Sequence, residues 1–174
     1  VAASSLGSLV SPRALRDEAC ASLPAASAPG ARLVYLKSEH QLCLFERDGS
    51  VHDWPASHGR EPGKKRFEGD GCTPEGRYMV SAARPSQRFG LFMPISYPNA
   101  DDARSARAAG KPAGGDVGIH GPQRWYAFLG RGQALVDHSD GCIVVDADSM
   151  QELARRVTKA TPIEILVSAP RAGR

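Results

Sequence analysis

A mainly β fold is predicted for this 174-residue chain from three observations. Its apolar residues fall in short alternating runs; eighteen glycines and thirteen prolines lie between those runs instead of in one tract; and few stretches carry helical spacing. With 41% hydrophobic residues, there is material for one packed core. The organisation read from composition is an N-terminal extension at 1–29, one domain at 30–168 and a short tail at 169–174.

Residues 1–29 are rich in Ala, Ser and Pro, with a short helix expected from Pro12 to Leu23 because proline suits the first helical turn. Alternation begins at Arg32–Lys37 and continues through Leu42–Glu46 and Val51–Trp54, with Asp48-Gly49 as the turn of a meander. A Gly-rich loop, Gly59–Gly71, leads to the turn Thr73-Pro74-Glu75-Gly76 and a strand at Arg77–Val80. Phe89–Ile95 reads as a further strand, and 100–115 as a helix of about two turns before the Gly-Lys-Pro break. Asp116–Gly121 is a short strand entering a turn, and Cys142–Val145 is a β-branched run. Met150, Leu153, Ala154 and Val157 recur at helical spacing behind the overlapping capping patterns of Asp148 and Ser149, which predicts a helix over 149–158. Thr161-Pro162 is expected to stop it, with Ile163, Ile165 and Val167 forming one face of a closing strand.

A formal charge of +3 and a pI near 8.8 are too mild for a nucleic-acid platform, and the one tight basic run, Lys64-Lys65-Arg66, reads as a solvated loop. No run reaches the roughly 20 apolar residues of a membrane helix. Cys20, Cys43, Cys72 and Cys142 lack zinc-ribbon spacing. Cys43, within a strand, reads as a small buried hydrophobe, whereas Cys20 and Cys72 suit either free thiols or a bridge.

Cys142 stands apart. Ser139-Asp140-Gly141-Cys142 presents a thiol at a turn-to-strand junction, where the N–H groups of Asp140, Gly141 and Cys142 can face a developing oxyanion. An ordinary thiol is mostly protonated at neutral pH and needs a base. His120 is the candidate, with the Gly121 carbonyl holding its other ring N–H and so its tautomer. A metal site of His120, His138 and Cys142 is the weaker reading, since a glycine turn followed by a β-branched run is not a helical i, i+4 pair.

Ile119-His120-Gly121 and Ser139-Asp140-Gly141-Cys142-Ile143 resemble the two halves of the active-site signature of the YkuD-type L,D-transpeptidases. Gly69-Asp70-Gly71-Cys72-Thr73-Pro74-Glu75-Gly76-Arg77-Tyr78, Ser96-Tyr97-Pro98-Asn99 and Thr161-Pro162-Ile163-Glu164-Ile165 resemble further segments of that family, in its order, over about residues 32–167. The resemblance implies a β-sandwich-like catalytic domain with a few short helices. Cys142 would be the nucleophile, His120 the base and Gly121 the orienter.

It further implies peptidoglycan stem peptides as partners and no cofactor or metal. A thioester forms at the third-position diamino acid with loss of D-Ala, and transfer to an amine gives a third-to-third cross-link. The domain is expected to be a monomer in the periplasm, with any export signal or anchor outside these residues.

Two departures bear on acceptor choice and site charge: Asp140 stands where many members carry His, and Val144 where many carry Arg or Asn. A carboxylate at Asp140 would disfavour a thiolate. Tyr97, Arg60, Ser139 and His138 are the expected substrate-binding residues, with the loop from Pro122 to Gly132 shaping the acceptor pocket. Resolution of the thioester by water (an L,D-carboxypeptidase) or by another amine, a lipoprotein lysine or a free D-amino acid, is the nearest rival, and a non-catalytic wall-binding module the rival of another class.

Overall fold

The computed structural model of the chain describes residues 19–23, 30–123 and 136–170. Five strands, β1 (Arg32–Leu36), β2 (Gln41–Phe45), β3 (Val51–Pro55), β4 (Gly76–Val80) and β9 (Thr161–Leu166), make one sheet in the order β3-β2-β1-β9-β4. The other four, β5 (Arg84–Ser86), β6 (Gly90–Pro94), β7 (Gly118–His120) and β8 (Ile143–Val144), make a second in the order β5-β6-β7-β8. Helices α1 (Ala100–Ala108) and α2 (Ala147–Arg156) complete a mainly β architecture.

The expected meander is present: β1 pairs antiparallel with β2 in the register Leu33↔Leu44, and β2 with β3 in the register Leu42↔Trp54. Strand alternation sends successive side chains of β1 to opposite faces. Leu33 and Tyr35 join Leu42, Leu44, Met93, Ile119, Ile143 and Leu153 in the main core, which draws on both sheets and α2. Val34 and Leu36 face the other way, into a smaller cluster with Cys20, Leu23 and Cys43. Both faces of β1 are therefore covered, and its run reads as nearly continuous apolar sequence.

That second cluster revises the cysteines. Cys43 is buried as expected, but it is bonded to Cys20, with 5.9 Å between their Cα atoms. Cys20 lies at the described end of the expected N-terminal helix, where residues 19–21 are helical; the rest of that expectation lies outside the described residues. Cys72 and Cys142 are free thiols.

Other boundaries move for local reasons. α2 begins at Ala147, not at 149, because Asp146 is its cap: Oδ1 accepts the Ser149 N–H at 3.0 Å and Oδ2 accepts the Ser149 hydroxyl at 2.7 Å. α1 starts after Asn99, whose side chain accepts from the Asp101 and Asp102 amides. The buried Asp102 carboxylate returns to Asn99 N–H at 3.1 Å and accepts Tyr78 O–H at 2.8 Å, which ties the helix to the first sheet.

Pro162 lies inside β9 instead of before it. Its position opposes only Met79 of β4, and the pairing with β1 starts one residue later, at Leu33↔Ile163, so no ladder bond to β1 is lost. Val167, expected on the buried face, is 56% exposed because the strand ends at Leu166. Arg84–Ser86, unread in the sequence, pairs with β6 as an edge strand, where its proline is tolerated.

Candidate active site

The second sheet brings the expected nucleophile and base together. β7 and β8 run parallel with Ile119 opposite Ile143 and His120 opposite Val144. Cys142 immediately precedes β8, beside Gly118 of β7. Cys142 and His120 both line one cavity of about 690 Å³.

The sheet needs Gly118 where it stands, since a Cβ there would come within 2.4 Å of the Phe92 ring and 2.6 Å of the Met93 carbonyl oxygen. Gly118 also contributes its N–H to the Cys142 sulfur, which favours the thiolate.

The turn before Cys142 is held by hydroxyls. Ser139 Oγ accepts the Gly141 N–H at 3.1 Å and donates to the Cys142 carbonyl at 2.7 Å. Ser139 lines the cavity as expected, yet its hydroxyl staples the turn. Of the three amides expected around an oxyanion, Gly141's is therefore engaged within the turn itself. Thr73 Oγ1 accepts the Gly59 N–H at 2.9 Å and donates to the Gly141 carbonyl at 3.0 Å.

Gly141 has φ +131, and a Cβ there would lie 2.6 Å from the Cys72 carbonyl oxygen. Substitution is excluded both by conformation and by space. The Thr-Pro-Glu-Gly turn thus has a structural tie to the nucleophile 69 residues later.

His120 Nδ1 lies 2.7 Å from the Gly121 carbonyl oxygen. A carbonyl only accepts, so Nδ1 carries the proton and Nε2 carries the lone pair. The Phe89 ring lies flat on the imidazole, with centroids 3.7 Å apart and planes at 18°. Burial is the largest cause that pushes the His120 pKa down, to about 4, against the opposing Gly121 bond. Burial likewise pushes the Cys142 thiol up, opposed by the Gly118 N–H and by the charges of Arg88 and Lys65, and reinforced by Asp116. At neutral pH the resting site therefore holds a neutral imidazole and a protonated thiol, whose S–H points to the Asp116 carbonyl at 3.6 Å.

The remaining expected residues divide. Arg60 forms an ion pair with the Asp140 carboxylate and is not among the residues lining the cavity. The Asp140 charge is thus neutralised at the surface, and the carboxylate that opposes the thiolate is Asp116. Tyr97 is buried in the core, its O–H donating to the Ala113 carbonyl at 3.0 Å, and it too is absent from the lining. His138 is half-buried, with Nδ1 2.6 Å from the Val136 carbonyl oxygen. Most of the expected acceptor loop, residues 124–132, lies outside the described residues; Gln123 lines the cavity.

Residues not foreseen from the sequence include Lys65, Arg84, Arg88 and Phe89, all on the cavity wall. Lys65, read as part of a solvated run, is only 4% exposed, its Nζ 3.0 Å from Asp70 Oδ1 and over the Tyr97 ring at 5.9 Å. The signal was the Asp70 of the Gly-Asp-Gly segment, whose carboxylate also takes the Arg66, Phe67 and Cys72 amides and folds the loop back on itself.

The family model described as the L,D-transpeptidase catalytic domain (YkuD) matches residues 30–165. Among solved structures, the helical cell shape determining protein Pgp2 from Campylobacter jejuni is 20% identical with a TM-score of 0.63, over 91% of this chain and 57% of its own. Bd1075 from Bdellovibrio bacteriovorus is 24% identical with a TM-score of 0.57, over 85% of this chain and 52% of its own. An L,D-transpeptidase from Mycobacterium tuberculosis H37Rv is 17% identical with a TM-score of 0.53, over 80% and 58%. At these identities the likeness is one of fold, and the chain spans between about half and three-fifths of each protein it matches. No curated protein sequence matches it.

Proposed function

Because this chain belongs to the L,D-transpeptidase catalytic-domain family, we propose that it is a peptidoglycan L,D-transpeptidase acting through a thioester on Cys142. The observation that carries the reading is that Cys142 and His120 line one cavity, with Nδ1 of the base held by the Gly121 carbonyl.

The chemistry follows from the neutral resting pair. As Cys142 Sγ attacks the carbonyl between the third-position diamino acid and D-Ala, His120 Nε2 takes the thiol proton. A base with a pKa near 4 is weak in the empty site. The imidazolium it becomes is stabilised by the oxyanion forming beside it, so proton transfer and attack are coupled. The amides of Asp140 and Cys142 receive that oxyanion, and the Gly141 amide instead keeps the turn rigid.

The C–N bond breaks as His120 returns the proton to the departing D-Ala amine, leaving the thioester. An amine of a second stem then attacks, His120 accepts its proton, and Cys142 leaves as thiolate and is reprotonated. Arg84 and Arg88 on the cavity wall, which also carries the carboxylates of Glu68, Asp116 and Asp140, suit the stem's terminal carboxylate.

The Cys20–Cys43 disulfide fits an oxidising compartment, which supports a periplasmic site of action. Amino groups of wall-anchored lipoproteins are alternative acceptors for the same thioester. A wall-binding module would have no use for a thiol and a tautomer-fixed imidazole in one cavity.

Purified protein mixed with disaccharide-tetrapeptides is expected to release D-Ala and form a third-to-third linked dimer, with Cys142→Ala inactive. D-Ala release without dimer would assign water as the acceptor and make the enzyme an L,D-carboxypeptidase. No release, together with no acylation of Cys142 by a carbapenem, would overturn the enzymatic reading.

A further inference from the structure

Away from the cavity, three segments distant in sequence bring metal-ligating side chains to one point. His40 ends the turn between β1 and β2, His58 follows β3, and Asp137 begins the segment that leads into Cys142. One ligand atom from each lies within 4.8 Å of the other two. His40 Nε2 is 3.1 Å from both Asp137 carboxylate oxygens, and His58 Nδ1 is 3.1 Å from Asp137 Oδ1. We propose that His40 Nε2, His58 Nδ1 and the Asp137 carboxylate bind one divalent transition-metal ion of the zinc class.

The ligand set is the first argument. Two imidazoles and a carboxylate suit zinc and its neighbours and are poorly matched to magnesium or calcium, which take oxygen donors. The spacing is the second. A tetrahedral ion bonded at about 2.0–2.2 Å holds its ligand atoms about 3.3–3.6 Å apart, so the 3.1 Å separation of each imidazole nitrogen from Asp137 Oδ1 needs to open by a few tenths of an ångström, and the two imidazole ligand atoms, within 4.8 Å of each other, need to settle into the same range.

The surroundings are the third. The backbone N–H of His58 donates to Asp137 Oδ1 at 3.0 Å, which fixes the carboxylate against the segment that carries the His58 ligand. Tyr35 O–H lies 2.9 Å from His58 Nδ1, but it has a second acceptor, the Ala56 carbonyl at 3.1 Å, to which it turns when Nδ1 gives its lone pair to the ion. The nearby cation Lys37 is held by Glu75 at 2.8 Å and by the Gly63 carbonyl. The His40 and Asp137 side chains are 30% and 29% exposed and His58 only 10%, which leaves an entry path and one buried anchor.

Such an ion would clamp the β1–β2 turn to the strip of chain five residues before the nucleophile. Ser139 N–H already donates to the His58 carbonyl at 3.2 Å and Arg60 N–H to the Ser139 carbonyl at 2.9 Å, so the clamp would reinforce an existing seam. The site lies outside the cavity lining, and its occupancy does not depend on the acyl-transfer reading.

The test uses tag-free protein with Cys142→Ala, stripped with a chelator, titrated with zinc sulfate and passed through gel filtration, with bound zinc measured per chain. One equivalent is expected, with a higher Tm than the stripped protein. His40→Gln and Asp137→Asn, both at half-exposed positions, are expected each to weaken zinc binding at least about tenfold while keeping the far-UV spectrum of the parent. Failure of the parent to retain zinc would overturn the proposal. So would retention undiminished in both variants, which would place the ion at Cys72 or His138.

Discussion

The Phe89 ring lies face to face with the imidazole of His120 at 3.7 Å, and this contact is part of the burial that lowers the pKa of the candidate base. It removes one face of the ring from water, and the cost of charging His120 rises accordingly. The base is therefore kept neutral by burial, and its tautomer by the Gly121 carbonyl.

Phe89→Ala is expected to return water to that face and to raise the His120 pKa from about 4 by a unit or more towards the ordinary value of about 6.5. Histidine resonances followed by NMR over pH 3 to 8 check this. The variant should also lose a larger share of its activity at pH 5 than at pH 8, because more of its base is protonated there. An unmoved His120 titration would refute the assignment of the shift to this contact.

The thiol is expected to behave as a poor acid in the free enzyme. Alkylation of Cys142 by iodoacetamide, read by mass spectrometry in Cys72→Ser, should rise with pH along a single step centred above the ordinary thiol value of about 8.5. The sign follows from burial, which disfavours the thiolate and outweighs Gly118, Arg88 and Lys65. A step centred below pH 7 would mean a resting thiolate–imidazolium pair and would overturn the coupled proton transfer.

Gly141→Ala places a methyl group 2.6 Å from the Cys72 carbonyl oxygen at φ +131. The turn must move, at a cost of about 1–3 kcal/mol. Urea unfolding should register that loss, and D-Ala release should fall by about 100-fold or more, since a displacement near 1 Å at the reacting atom is enough for that. Near-native turnover in this variant would contradict the packing of the nucleophile turn on Cys72 and Thr73.

Replacing both Cys20 and Cys43 by Ala should lower unfolding free energy by about 3 kcal/mol, from the loop-closure entropy of a bridge with sequence separation 23. Turnover at 25 °C should change by less than about twofold, because the bridge belongs to the smaller cluster behind the five-stranded sheet and Cys142 is borne by the other sheet. A large loss of kcat in folded double variant would show the two clusters to be coupled.

Local patterns in the sequence were enough for the fold class, most strands and both helices of the domain, and they nominated Cys142, His120 and Gly121 for the candidate reaction centre. These rest on signals within a few neighbouring residues: alternation, turn-forming dipeptides, capping oxygens, and motifs read in order along the chain. Local patterns failed where the deciding partner is remote. Nothing near Asp140 shows that Arg60, eighty residues earlier, takes its charge, and nothing near Lys65 shows that Asp70 holds it against a cavity wall.

Packing between remote segments puts Tyr97 in the core, turns the Ser139 hydroxyl to holding the nucleophile turn, and gives Cys43 its partner Cys20. It alone set the protonation of the pair on β7 and beside β8. Charge state depends on how much water a group has lost and which dipoles face it, and both are properties of packing between segments that the chain order keeps far apart.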